Sequence, residues 1–148
     1  MHDSQTVVPA GDRADRLFVA HDPPHAAAVV VWRRSPAGRD EFLVLHRRTA
    51  PDEGDWAWTP PAGTRITGET AEACARRELA EETQLNVAVR RIGPPAGDCA
   101  LFEARVDGDP PILLSEEHDR CEWVSRDEAA RRCQPAAVAS LFRLDLSA

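Results

Sequence analysis

At 148 residues and 16.3 kDa the chain is sized for one domain with a core of its own. Its 43% hydrophobic and 29% charged content is ordinary for a globular protein, and a formal net charge of −7 argues against a surface for long nucleic acid or anionic membrane. All 18 basic residues are arginine, so Schiff-base chemistry and a P-loop lysine are excluded.

Residues 1–24 are polar and interrupted by Pro9, Gly11, Pro23 and Pro24; they read as an extended arm with one short strand around Leu17–Ala20. The continuous apolar run Ala26–Trp32 predicts a buried strand. Ser35–Asp40 has turn composition, and Glu41–His46 is the returning strand of a hairpin. Thr49–Asp55 is a loop, and the prolines of Trp56–Gly63 keep that stretch extended.

A helix follows, with Thr70 as N-cap and Glu72 in its first turn. Ala71, Cys74, Ala75, Leu79 and Ala80 are expected to pack, leaving the glutamates accessible. Val87–Ile92 and Cys99–Val106 read as strands around the break Pro94–Gly97, and Pro111–Leu114 as a short strand. Glu122–Val124 is expected to be the last strand, Arg126–Cys133 a helix and Pro135–Leu144 a closing helix. Strands around one central helix, with helices at the end, indicate an α/β fold with a mixed sheet between helical layers.

Four cysteines (Cys74, Cys99, Cys121, Cys133) form no C-x-x-C pair and no zinc spacing, so reduced thiols are expected. No apolar signal region and no membrane-length apolar run is visible, which predicts a cytoplasmic location and no membrane partner.

Chemistry concentrates in Gly63–Leu85. Glu78, Glu81 and Glu82 stand at i, i+3 and i+4, which brings three carboxylates onto neighbouring turns. Like charges at that spacing repel unless a cation offsets them, and hard divalent cations take oxygen ligands. An acidic solvated helix face is the plain alternative. Gly63, Glu69, Arg77, Glu78, Leu79, Glu81, Glu82 and Leu85 also fit the pattern G-x5-E-x7-R-E-U-x-E-E-x-G-U, U being aliphatic. The stretch thus resembles the Nudix box, and that register favours a metal site over the solvated face. The one departure is Gln84, where the family carries a glycine that closes the helix in a left-handed conformation. A Gln there is expected to cost stability or move the helix end.

The resemblance implies a Nudix-type α/β/α sandwich over residues 25–148 with a characteristic loop–helix. It implies metal ligands at Glu78, Glu81, Glu82 and the Gly63 carbonyl, with magnesium the expected ion and manganese the alternative. Either Glu81 or Glu78 would orient or deprotonate the attacking water. Glu69 and Arg77 would form an ion pair supporting the loop.

Two further segments are similar to diadenosine tetraphosphate hydrolases. Trp58–Gly63 resembles W-T-P-P-K-G, and Ser115–Ala129 resembles S-x-E-H-x-x-Y-R-W-L-x-x-x-E-A, matching Glu117 to its acid. Glu117 would then be a further metal ligand or the base, and His118 could touch substrate. Ala62 replaces the lysine, Cys121 replaces the tyrosine, and the stretch between Ile92 and Ala100 is short. Dinucleoside polyphosphate and nucleoside triphosphate hydrolysis therefore stand level.

Arg47 and Arg48 are candidates to grip phosphates, against a plain surface role. Trp56 is a candidate to stack on a base, whereas Trp32, Trp58 and Trp123 read as core. The expected partner is a small nucleotide, and the protein a monomer or homodimer. The rival reading is a non-catalytic nucleotide sensor on the same scaffold, which the full set of box acids disfavours.

Overall fold

The computed structural model describes residues 19–146. Its central strand, β1 (Ala26–Arg34), explains the unbroken apolar run. Ala27, Val29 and Val31 face one helical layer while Ala28, Val30 and Trp32 face the other, so neither face can be polar. Trp32 carries a polar N–H into this core and donates it to Glu103 at 2.9 Å.

Pairing around β1 is mixed. β2 (Asp40–Arg47) and β4 (Ala62–Thr64) run antiparallel to it, and β6 (Cys99–Arg105) runs parallel. β3 (Trp58–Thr59) and β7 (His118–Val124) pair antiparallel with β2, and β5 (Arg90–Arg91) pairs with β6. Helix α1 (Ala71–Thr83) covers one face through Cys74, Ala75 and Leu79. Helix α2 (Arg126–Arg132), α3 (Ala136–Ala139) and a 3-10 turn over Ser140–Arg143 cover the other. This is the expected α/β/α sandwich. Among the described residues no helix is long and apolar enough to cross a membrane.

Several expected elements differ. Leu17 and Phe18 of the N-terminal strand, like most of the 1–24 arm, lie outside the described residues. Val19 makes an isolated bridge to Ile66. The strand expected over Val87–Ile92 contracts to β5, because the apolar residues before it pack towards α1 instead of pairing. Pro111–Leu114 forms no strand; Ile112 and Leu114 pack on the α1-side cluster while the Leu113 N–H bonds to the Thr83 carbonyl at 3.1 Å. β7 begins at His118, four residues earlier than its apolar residues suggest, because β2 supplies backbone partners irrespective of side-chain polarity.

The closing helix is broken at Ser140. Its hydroxyl donates to the Ala137 carbonyl at 2.8 Å, and the tightened turn drives Leu141 and Phe142 into the core. Phe142 meets Phe42 edge-on, with centroids 6.0 Å apart.

Both ends of α1 follow from single residues. The Thr70 hydroxyl accepts the Ala73 N–H at 3.0 Å, as an N-cap should. At the other end Gln84 adopts φ 64°, ψ 15°, and its N–H bonds to the Ala80 carbonyl at 2.9 Å. The helix end has not shifted; a side chain occupies a left-handed position that favours glycine. Gln84→Gly is therefore expected to stabilise the fold by ~1 kcal/mol. Thermal unfolding should show a rise of about 3 °C.

Helix α2 supplies a pH-sensitive tie. Arg131 and Arg132 both hydrogen-bond Glu128 and hold its carboxyl down at about 2, against an ordinary value of 4.5. A depressed carboxyl contributes stability that is complete above pH 4.5 and disappears as pH falls towards 2. Glu128→Gln should thus be less stable than wild type at pH 7, with the gap closing in acid. Chemical denaturation at a series of pH values measures it.

Candidate active site

The loop Thr64–Thr70 is fastened to α1 by one guanidinium. Arg77 donates Nε to Glu69 at 2.7 Å and one terminal nitrogen to Glu69 and the Thr64 carbonyl at 3.0 and 2.9 Å. Its other nitrogen donates to Glu78 at 3.1 Å and to Glu81 at 3.3 Å. Burial pushes the Glu69 carboxyl up, but Arg77 and the Ile66 N–H outweigh it and hold the group below its ordinary range. Glu69 accordingly stays ionised and pins the loop.

The glutamates are not all on an accessible face. Glu78 is 0% and Glu82 2% exposed, beneath β4, while the Glu81 side chain is 47% exposed and turned outward. Helical periodicity is the reason. Ala71, Cys74, Ala75, Glu78, Leu79 and Glu82 follow i, i+3, i+4, i+7, i+8 and i+11, so two acids lie inside the packing stripe.

Burial leaves these two acids under electrostatic stress. One oxygen of Glu78 is buried without a hydrogen-bond partner. Glu82 accepts the Ala62 N–H at 3.2 Å, yet its carboxyl is held well above the ordinary range by burial first, then by Glu78 and Glu117. β4 approaches so closely that a Cβ on Gly63 would stand 2.0 Å from the Glu78 carboxyl carbon. The Gly63 carbonyl also faces the helix, accepting the Cys74 thiol at 3.7 Å. Hard oxygen donors and two acids, Glu78 and Glu117, that both repel Glu82 fit a divalent cation. Among the described residues, however, no three acidic, histidine or cysteine side chains are already closed around one point.

Beside these acids lies a cavity of about 350 Å³ between the sheet and the α3 end of the molecule. Gly63, Glu82, Glu117, His118, Arg47 and Trp56 all line it. Arg47 and His118 stand opposite each other on β2 and β7. His118 is 5% exposed with an unpartnered Nδ1. Burial, then Arg47 and His46, lower its pKa to about 4, so it is neutral near pH 7.

Arg48 does not line the cavity. Its Nε donates to the Glu116 carbonyl at 2.7 Å, fastening the turn that carries Glu117 instead of offering itself to a phosphate. Trp32 and Trp58 are buried, and Trp123 is partly buried beneath the Arg33 guanidinium, 4.1 Å from its ring centroid. His46 is a buried tie between Asp119 and the Pro51 carbonyl, at 2.7 and 2.8 Å.

The cavity also has walls that sequence reasoning missed: Ala26, Ala28, Cys99 and Leu101 on the sheet, Val138 and Leu141 above. Small residues near the start of a buried strand give no sequence signal beyond core. Burial and the nearby Asp98 push the Cys99 thiol up to about 12, which leaves it an inert wall.

A family model described as the NUDIX domain matches residues 23–144. The chain belongs to the Nudix family. A Caenorhabditis elegans bis(5'-nucleosyl)-tetraphosphatase (asymmetrical) is 28% identical over 130 residues, covering 80% of this Nudix chain and 91% of that protein. Its Rattus norvegicus counterpart is 32% identical over 108 residues, covering 64% and 70% respectively. The crystal structure of a C. elegans Ap4A hydrolase binary complex superposes with a TM-score of 0.66 at 27% identity, covering 80% of this chain and 91% of that one. The protein is a Nudix pyrophosphohydrolase.

Proposed function

We propose that the protein uses a divalent cation to hydrolyse a pyrophosphate bond in a nucleoside diphosphate linked to a further moiety. Dinucleoside polyphosphates and nucleoside triphosphates are the two candidate classes. The observation that carries this reading is the junction of Glu82 and Glu117 with an apolar cavity of about 350 Å³, at the small end of ligand pockets of ~300–1,000 Å³. Acids that need a cation stand beside a space suited to a nucleoside.

Glu78, Glu82, Glu117 and the Gly63 carbonyl would hold the ion, with Glu81 at the outer edge. When bound, a cation such as magnesium or manganese polarises phosphoryl oxygens and lowers the pKa of water. The remaining work falls to the chain. Arg77 fixes Glu69 and Glu78, Arg48 fixes the Glu117 turn, and Arg47 offers positive charge on the cavity wall. His118, neutral and with a nitrogen unpartnered, can hydrogen-bond substrate without repelling Arg47.

Of the two glutamates expected to activate water, Glu81 is the one open to solvent, whereas Glu78 is fully buried beside Gly63 and would serve as an ion ligand. Glu81→Gln is expected to lower kcat by ~10²-fold or more with little change in KM. Wild-type kcat in that variant would remove Glu81 from the role.

The tetraphosphatase relatives favour dinucleoside polyphosphates. Cys121 packs on the α1 side, so the tyrosine it replaces is not missing from the cavity wall. Ala62 does line the cavity and leaves it one positive charge short of the related pattern. The deciding experiment incubates both substrate classes with magnesium, with manganese or with chelator, and resolves products by chromatography. Turnover of at least one class, abolished by chelation, is expected. A folded protein inert towards all of them would refute the assignment.

A further inference from the structure

Resting on the hydrolase reading above, we propose that His46 and Asp119 are a positioning pair: their contact holds a one-residue bulge in β7 that presents Glu117 and His118 to the cavity. Neither His46 nor Asp119 lines that cavity. They act through the two residues that do.

The bulge shows in the strand pairing. From Phe42 opposite Val124 to His46 opposite Arg120, β2 and β7 advance residue for residue. The next pair is Arg47 opposite His118, so Asp119 has no partner on β2. An extra residue of this kind bends its strand and re-aims side chains, and such bulges gather beside active sites. The shifted register continues past the end of β2, where the Arg48 N–H bonds to the Glu117 carbonyl at 2.9 Å. A slip of one residue would turn every residue before Asp119 to the opposite face of the sheet. The insertion at Asp119 therefore decides which way Glu117 and His118 point.

Ladder bonds do not fix an inserted residue, because it is the one left unpaired. The Asp119 side chain supplies an anchor instead. Its Oδ1 lies 2.7 Å from Nδ1 of His46, whose other ring nitrogen lies 2.8 Å from the Pro51 carbonyl. The imidazole is 1% exposed and meets Trp58 at a steep angle, with ring centroids 5.0 Å apart, so it is a fixed point and not a mobile surface group. At the other end of the segment the Ser115 hydroxyl donates to the Glu117 carboxylate at 3.2 Å, and the Ser115 carbonyl accepts the His118 N–H at 3.3 Å. Glu117 and His118 are thus held from both sides. The plain alternative is a buried histidine satisfied by its neighbours, whose loss lowers stability and nothing more. The location of the contact, at the residue that sets the register, favours positioning.

The test uses Asp119→Ala and Asp119→Asn in the full chain, with magnesium and with a dinucleoside tetraphosphate and a nucleoside triphosphate as substrates. Asp119 is the residue to change, because truncating the buried His46 ring would open a hole in the core. Asp119→Ala is expected to fold and to lower kcat/KM by ~10–100-fold, the range for groups that orient a ligand from behind. Its Arg48 and His118 amide hydrogens should exchange faster than in wild type, while those of β1 keep their protection. Asp119→Asn, whose amide oxygen can still accept from the ring, should stand between the two. Wild-type kcat/KM in folded Asp119→Ala would overturn the proposal, since a purely structural tie lowers the unfolding temperature alone. Unchanged exchange at those two amides would overturn it as well, and so would Asp119→Asn being as impaired as Asp119→Ala. The two readings fail separately: a wild type that hydrolyses neither substrate sinks the enzymatic reading, while amide exchange still judges whether the pair holds the bulge.

Discussion

Glu82→Gln is expected to lower turnover by ~10³-fold or more, a loss of ~4 kcal/mol of transition-state stabilisation, while the protein stays folded. The amide oxygen can still accept the Ala62 N–H that Glu82 accepts at 3.2 Å, so β4 keeps its anchor to α1. What disappears is a carboxyl whose ionised form burial, Glu78 and Glu117 disfavour until a cation offsets them. Without a cation that carboxyl burdens the fold, so the metal-free variant should unfold at an equal or higher temperature than wild type. Added magnesium or manganese should raise the wild-type unfolding temperature more than that of the variant, since ligand stabilisation tracks affinity. Glu72→Gln, on an exposed first-turn position of the same helix, provides the control and should change neither property. Wild-type turnover by Glu82→Gln would remove Glu82 from the metal site, and equal metal-induced stabilisation of both proteins would do the same.

How much of this could be read from the chain differs from element to element. The loop–helix was legible because its chemistry depends on spacing: Thr70 caps, Arg77 reaches back eight residues to Glu69, and Gln84 marks the helix end. β1 was legible because burial on both faces leaves no choice of residue but apolar ones. The depth of Glu78 and Glu82 is not legible from their charge, which on its own points to solvent. The same helical periodicity that assigns Cys74 and Leu79 to the packed stripe assigns these acids to it as well. β7 and the broken closing helix were partly illegible for another reason. A strand paired along β2 need not alternate in polarity, and a 3-10 turn is decided by what Leu141 and Phe142 must reach. The cavity floor was hidden altogether, since Ala26 and Ala28 reveal their role only once β6 and α3 are set around them.

Gly63→Ala should be the most crowded glycine-to-alanine change among the described residues. Its cause is space and not backbone freedom, because Gly63 is not among the residues at positive φ. The new methyl would fall 2.0 Å from the Glu78 carboxyl carbon and from one of its oxygens, and 2.5 Å from the other. Glu78 cannot swing aside into water, being 0% exposed and bonded to Arg77 at 3.1 Å. Either β4 retreats from α1 or the carboxylate is expelled, and both separate the Gly63 carbonyl from the acids. Overpacking of this kind costs about 1–3 kcal/mol, and here the loss of the Arg77 bond adds to it. We expect denaturant unfolding to report about 2–4 kcal/mol of destabilisation, and turnover to fall at least ~10²-fold. Steric and electrostatic causes separate in a double-mutant cycle. Glu78→Ala in the Gly63→Ala background removes the obstruction, so stability should recover while turnover stays low. Additive losses in the double variant would mean that the two groups do not collide, and that the close approach of β4 to the helix is not what requires glycine at position 63.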